Sequence, residues 1–201
     1  MKNNFFYKLF WVFISVILLG LGGYLFVMAN IGSDALTVFN QGVATFLNID
    51  FGYGIIITNS ILIIVMFFVR RDLISYGTFM SLLIGPIVNL FSSISLLVTP
   101  NSIYLKILML VIGIIIAALG IAIYISMKLG LSPFESVVVA IQEKLKTHFR
   151  YVKIVFDAIL FIIGYLLGGV VGFGSIIAII TIGPLVDLFI LVFKKIKIFQ
   201  Y

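Results

Sequence analysis

Two octapeptides decide the fold of this chain: IGPIVNLF at residues 84–91 and IGPLVDLF at residues 182–189. They lie 98 residues apart, and each places a Gly-Pro pair inside an apolar run. We call residues 98 positions apart repeat equivalents; they include Gly22 and Gly120, Gly32 and Gly130, Asn59 and Asp157, and Asn89 and Asp187. A nearly constant offset at glycine, proline and polar positions predicts an internal repeat, with halves of about 1–98 and 99–201 in one membrane domain, 1–201.

The composition of the chain fits a lipid bilayer and excludes a water-soluble globule. Of its 201 residues, 63% are hydrophobic and 10% are charged, whereas soluble domains are about 45–50% apolar and about 25% charged. A helix needs about 20 mostly apolar residues to cross the hydrocarbon core. Six stretches meet that requirement: Leu9–Ala29, Phe51–Val69, Leu73–Val98, Ile107–Met127, Ile154–Phe173 and Ser175–Phe193. The sequence therefore predicts an all-α polytopic membrane protein with six transmembrane helices.

The lysines and arginines predict the orientation of these spans. With a cytoplasmic N-terminus, 12 of the 13 basic residues fall on the cytoplasmic side, and Lys106 alone falls outside. Such a bias is the positive-inside rule, so we expect a multi-pass plasma-membrane protein with both termini in the cytoplasm. The net charge of +6 then needs no nucleic acid as a partner. Since each half carries three spans, the second half is predicted to be inverted relative to the first.

Two segments between the spans predict short amphipathic helices. Apolar residues recur at helical spacing in Asp34–Leu47 and in Ser132–Thr147,. Asp34 is the expected N-cap of the first short helix. In the second, Ser132 is the expected N-cap, Pro133 takes the first helical position and Glu135 closes a capping box. The two helices either lie flat at the membrane interface or dip into a cavity between the spans.

Two acidic residues lie inside the predicted spans, Asp157 and Asp187, and their repeat equivalents are Asn59 and Asn89. An ionisable side chain at the bilayer centre costs about 2.5–3.5 kcal/mol, so such residues are functional candidates. The four residues are candidates for binding a solute, a proton or a cation, and we expect Asp187 to face the protein interior. Alternatively, Asp157 forms an ion pair with Lys153 one turn away, and Asp187 fixes helix packing through a hydrogen bond.

The two Gly-Pro pairs, Gly85-Pro86 and Gly183-Pro184, lie in the middle of predicted spans. Proline removes a helical hydrogen bond and glycine loosens the turn. The pairs are therefore expected to kink their helices, either as static packing features or as hinges beside a cavity.

Several chemistries are excluded by what the sequence lacks. The chain has no cysteine and a single histidine, His148. It contains no Walker-type phosphate loop, no GxSxG elbow and no HExxH motif. The sequence therefore predicts neither an enzyme nor a bound cofactor or metal.

The glycines before the capped short helices, Gly32 and Gly130, resemble those of the YczE/YyaS/YitT-type bacterial integral membrane proteins. So do the aromatic-Gly-Ser/Thr turns at 76–78 and 173–175 and the two Gly-Pro blocks. The resemblance covers nearly the whole chain and implies the membrane architecture, but little about substrate or mechanism.

An inverted repeat is shared by many secondary transporters, whose substrate sites lie near the midplane where the halves meet. The sequence therefore predicts a small-solute permease, either facilitative or coupled to protons or cations. The alternative is a membrane accessory or substrate-binding subunit that acts only with partner proteins. A channel is a third hypothesis. With the predicted orientation, both acids lie in the cytoplasmic half of the bilayer and both amides in the outer half, and this asymmetry slightly disfavours a symmetric pore.

Overall fold

The computed structural model describes residues 5–94 and 99–196, and within these ranges it contains nine α-helices and no strand. Lys2 and Lys197, two of the basic residues that predict the orientation, lie outside these ranges. The helices are α1 Phe5–Ala29, α2 Ala35–Leu47, α3 Phe51–Val69, α4 Tyr76–Met80, α5 Ile84–Ser93, α6 Ile103–Met127, α7 Pro133–Leu145, α8 Phe149–Leu166 and α9 Phe173–Ile196.

Five helical segments are long and apolar enough to cross a membrane: Phe5–Ala29, Phe51–Val69, Tyr76–Ser93, Ile103–Met127 and Phe173–Ile196. This indicates a helical membrane protein, as the sequence predicted. Helix α8 corresponds to the fifth predicted span, Ile154–Phe173, but it has 18 residues and carries Arg150, Lys153 and Asp157. This span, and with it the count of six, therefore stays a prediction.

The third predicted span is an interrupted helix. A 3-10 turn at Ser81–Leu83 separates α4 from α5, and Pro86 lies in the first turn of α5. Because Pro86 has no N–H, it cannot bond to the carbonyl of residue 82, and the regular helix breaks just before it. Pro184 lies inside the continuous helix α9 instead. The two Gly-Pro pairs thus differ in their effect on the helix. Residues 95–98, at the end of the third predicted span, lie outside the described part.

The two short helices were predicted correctly, and each has 13 residues. The Asp34 carboxylate accepts a hydrogen bond from Thr37 N at 3.3 Å, and Ser132 Oγ accepts one from Glu135 N at 3.4 Å. Pro133 occupies the first helical position. The predicted capping box is incomplete, since no bond from Ser132 N to the Glu135 side chain occurs among the described residues. The Glu135 carboxyl has charged neighbours on α8 instead.

Helices α1 and α6 form the centre of the molecule and pack closely along their length. A Cβ atom added at Gly22 would lie 3.0 Å from Ala117 Cβ, and one added at Gly120 would lie 3.1 Å from Leu19 Cγ. These two contacts join repeat equivalents, since 22 corresponds to 120 and 19 to 117. Small residues let the two backbones approach, which is how helices commonly associate in a bilayer.

The loops before the short helices are held by turns from the opposite half of the chain. Gly77 N, at the start of α4, donates to Leu129 O at 3.1 Å, and Gly174 N, at the start of α9, donates to Ile31 O at 2.9 Å. Thr78 Oγ1 adds a bond to Leu131 O at 2.9 Å. Each half therefore fixes the position of the other half's short helix.

The orientation can be tested with reporters fused after Gln200 and inserted within residues 99–102. We expect the first reporter to report the cytoplasm and the second the outer side, because the basic residues resist translocation. Reporter enzymes that are active on one side only would measure this. An outer-side signal from the C-terminal reporter would contradict the predicted topology.

Candidate functional site

The two short helices begin beside the middle of long helices from the opposite half. The Asp34 end of α2 lies within electrostatic range of Asp157, and further along, Gly42 crosses α8 in direct backbone contact with Gly164. Helix α2 therefore runs from the middle of α8 toward its C-terminal end.

Helix α7 runs along α3 in the same manner. Its first residues pack with Leu62, its middle packs on Met66, and Glu143 near its end pairs with Arg70 just beyond α3. The start of each short helix thus points into the interior of the molecule, and its end lies level with the end of a long helix.

A charged cluster lies where the two short helices begin. Lys153 Nζ is 3.1 Å from an Asp157 carboxylate oxygen and 4.5 Å from the centroid of the Phe134 ring. Glu135 lies within electrostatic range of both Lys153 and Asp157. The predicted alternative, an ion pair between Asp157 and Lys153, is therefore present, but it is part of a larger group of charged side chains that includes Asp34.

The charge of this cluster is unbalanced. Among the described side chains around Asp157, three are carboxylates, those of Asp34, Glu135 and Asp157, and one is an ammonium, that of Lys153. The Asp34 carboxylate also caps α2 and accepts a 2.6 Å bond from Thr37 Oγ1, where the helix N-terminus favours negative charge. The remaining excess of negative charge would be offset by a proton or a bound cation.

Tyr124 brings an unused hydroxyl close to the cluster. Its side chain is 6% exposed, its Oη has no hydrogen-bond partner among the described residues, and it lies within electrostatic range of Glu135. Buried polar groups are nearly always hydrogen-bonded, so an exception calls for an explanation such as water or a ligand. Our sequence analysis missed Tyr124, and a tyrosine within the most apolar span, Ile103–Met127, was the available signal.

Both amide candidates fix helix packing. Asn59 Nδ2 on α3 donates to Ser81 O at 3.2 Å, and Asn89 Oδ1 on α5 accepts from Gly52 N at 2.9 Å. Together they hold α3 against the α4–α5 segment. The structure does not bring either amide into the charged cluster.

Asp187 is exposed on the surface of α9, together with Gly183 and Pro184. The expectation that Asp187 faces the protein interior is therefore wrong for this chain. The physical reason is that α8 and α9 lie apart, although their counterparts α3 and α5 pack closely. Asp187 consequently lies outside the charged cluster.

An ion network ties the ends of α3 and α7 together on the side that carries most of the basic residues. Arg70 bonds to Asp72 at 2.8 Å and also to Glu143. The hydrogen bonds from Arg70 lower the pKa of the Asp72 carboxyl, and those to Asp72 and Glu143 raise the pKa of the guanidinium. Since both acids are exposed and the Arg70 side chain is 35% exposed, the network positions α7 and adds little stability.

A separate cleft of about 370 Å³ opens at the far end of α2 from the cluster. Its polar lining consists of uncharged side chains, and Gln41 Oε1 accepts a bond from Val170 N at 3.3 Å. No group of three or more His, Asp or Glu side chains within residues 5–94 and 99–196 could hold a metal ion. The polar lining residues of the cleft are Asn30, Gln41, Thr45 and Asn48.

Long apolar helices around a partly buried charged cluster define a helical polytopic membrane protein. A family model matches residues 6–191. The chain belongs to this family, DUF6198, which is described as a family of unknown function.

One similar protein comes from Haemophilus influenzae and is described as an uncharacterized protein. It is 27% identical over 186 residues, which cover 92% of this chain and 84% of that protein. No solved structure matches the chain.

Proposed function

We propose that this chain is a small-solute transporter of the plasma membrane whose site is the charged cluster at the start of α2 and α7. The observation that carries the proposal is that a short helix from each half begins beside the same ion pair on α8. Interrupted helices that start near the midplane are how many secondary transporters build their sites. The resemblance to YczE/YyaS/YitT-type proteins agrees with this architecture and is part of the proposal.

Pairs of equivalent contacts support two inverted halves. The Gly22–Ala117 and Gly120–Leu19 contacts, and the bonds Gly77 to Leu129 and Gly174 to Ile31, connect positions that nearly exchange under the 98-residue offset. This is the relation expected of a two-fold axis between the halves. With three spans in each half, the axis lies in the membrane plane.

The length of the short helices supports the hypothesis that they dip between the spans. Thirteen residues extend about 20 Å, and the hydrocarbon core is about 30 Å thick. Helices α2 and α7 are too short to cross it, and both start beside the middle of a long helix. Backbone that ends inside a membrane is tolerated where it lines a cavity or is covered by protein.

The charge of the cluster favours a proton or a cation as the transported or coupling species. Three carboxylates and one ammonium attract positive charge, and the Phe134 ring already accepts an ammonium on its face. Carboxylate and aromatic groups together are how proteins recognise organic cations.

Uptake by the purified chain in liposomes tests the proposal. We expect a panel of radiolabelled cationic, zwitterionic and neutral solutes to include one that enters faster than into protein-free liposomes. An imposed pH gradient should change its accumulation if protons are coupled. Liposomes with the Asp157→Ala variant are the matched control. If no solute enters faster through the natural chain, the alternative of an accessory or binding subunit is favoured.

A further inference from the structure

The two halves differ in one interface. Helix α3 packs on the α4–α5 segment, and a Cβ at Gly52 or Gly85 would overlap the backbone of the other residue. In the second half, α8 and α9 barely touch, and a Cβ at Gly183 would meet nothing within 4 Å. The equivalent of Gly52 in the sequence is Arg150, which is not a glycine. The gap between α8 and α9 is therefore where the two-fold relation fails.

Asn59 and Asn89, which hold α3 to the α4–α5 segment in the first half, are the repeat equivalents of Asp157 and Asp187. The bond from Asn59 to Ser81 O and the bond from Gly52 N to Asn89 hold α3 to the α4–α5 segment. Their repeat equivalents are Asp157 on α8 and Asp187 on α9. At both positions, the amide of the first half is replaced by a carboxyl group in the second.

The chemical difference between Asn59 and Asp157 favours a gap between α8 and α9. An amide donates hydrogen bonds, whereas an ionised carboxylate only accepts them. Ionised Asp157 therefore cannot make the bond to a backbone carbonyl that Asn59 makes, and it pairs with Lys153 at 3.1 Å. A protonated carboxyl group has one O–H donor and regains that ability.

Helix α9 offers an acceptor at the matching level. Pro184 lies inside the helix and has no N–H, so it cannot satisfy the carbonyl of Ile180 four residues earlier. Ile179, the equivalent of Ser81, and Ile180 are both exposed. An unsatisfied carbonyl is costly in a bilayer, which makes a donor from α8 favourable.

We propose that Asp157 is a proton-controlled latch between α8 and α9. When it is ionised, Asp157 pairs with Lys153 and leaves the helices apart. When it takes up a proton from the surrounding water, it releases Lys153, donates its O–H to the α9 backbone near Ile180 and brings the helices together.

The charged groups around Asp157 come from three elements and set when the latch closes. They are Lys153 on α8 itself, Asp34 at the start of α2 and Glu135 on α7. Lys153 favours the ionised, open form, and the two acids oppose it. As a gate for transport, the latch rests on the proposed function. The closure of α8 on α9 does not, because it can be measured without any solute.

Spin-label distances in lipid nanodiscs test the latch, because the natural chain has no cysteine and labels attach only where cysteines are introduced. One pair is Tyr151→Cys with Leu191→Cys, across α8 and α9. The matched control is the equivalent pair in the first half, Tyr53→Cys with Ser93→Cys. All four positions are exposed.

We expect the α8–α9 pair to be farther apart than the control pair at alkaline pH. On acidification it should move toward the separation of packed helices, about 8–10 Å between axes, while the control pair stays unchanged. Asp157→Asn should give the short distance at every pH, and Asp157→Ala, which can neither ionise nor donate, should give the long one. Lys153→Met should close at a higher pH than the natural chain.

A distance that does not respond to pH, or a long distance in Asp157→Asn, would overturn the latch. So would an equal movement of the control pair, because the change would then not be confined to the α8–α9 gap. The control pair also reports whether each variant keeps its fold. Because no solute is present, closure without uptake would refute the proposed function alone, and uptake without closure would refute the latch alone.

Discussion

Asp157→Asn should abolish concentrative uptake by the reconstituted protein while leaving the chain folded. The amide has nearly the shape of the carboxyl group, and its equivalent Asn59 already occupies the matching place on α3. It cannot exchange a proton or neutralise Lys153, and it holds α8 on α9 permanently. We expect uptake to fall at least about tenfold, which corresponds to roughly 1.4 kcal/mol in the limiting step.

The control for this variant is Asp72→Asn. Asp72 is an acid as well, but it is exposed and pairs with Arg70 outside the charged cluster. Its replacement should leave uptake within about twofold, since exposed ion pairs contribute little. Initial rates of uptake, corrected for the amount of reconstituted protein, are the measurement. Full uptake by Asp157→Asn would remove this carboxyl group from the mechanism.

Gly130→Ala should destabilise the fold strongly. Gly130 has a φ of +114°, a conformation that side-chain-bearing residues rarely adopt. An added Cβ would also overlap the Ser75 side chain in the turn where Gly77 and Thr78 bond to the loop before α7. Backbone strain costs about 1–3 kcal/mol, and overpacking costs about as much again. We expect a loss of about 2–5 kcal/mol in the free energy of unfolding.

Unfolding of the purified protein in detergent measures this loss, with Gly183→Ala as the matched control. Gly183 lies in a helix and has open space around it, so alanine there should change stability by no more than about 1 kcal/mol. The double variant with Ser75→Gly, compared with Ser75→Gly alone, separates the two causes, because it removes both Ser75 atoms that the added Cβ would overlap and keeps the backbone strain. Equal stability of Gly130→Ala and Gly183→Ala would contradict the geometry of this loop.

The candidate site shows which of its features can be predicted from local sequence patterns. The sequence singled out Asp157, and its partner Lys153 follows from a four-residue spacing. Glu135 and Asp34 were assigned only as caps, because capping is a local property that can be recognised from neighbouring residues. Their approach to Asp157 depends on α2 and α7 each crossing a long helix of the other half, which no local pattern specifies.

The sequence by itself determined the membrane class, the short helices, their N-caps and the paired glycine and proline positions. These features follow from composition, helical periodicity and residues that satisfy backbone groups within a few positions. Only the tertiary structure decided which helices touch, because that depends on the fit of whole surfaces. It placed Asn59 and Asn89 in a closed interface and left Asp187 exposed, although both halves share one pattern. For Asn59 and its equivalent Asp157 the difference is chemical, because an amide donates a hydrogen bond to a facing backbone carbonyl and an ionised carboxylate does not.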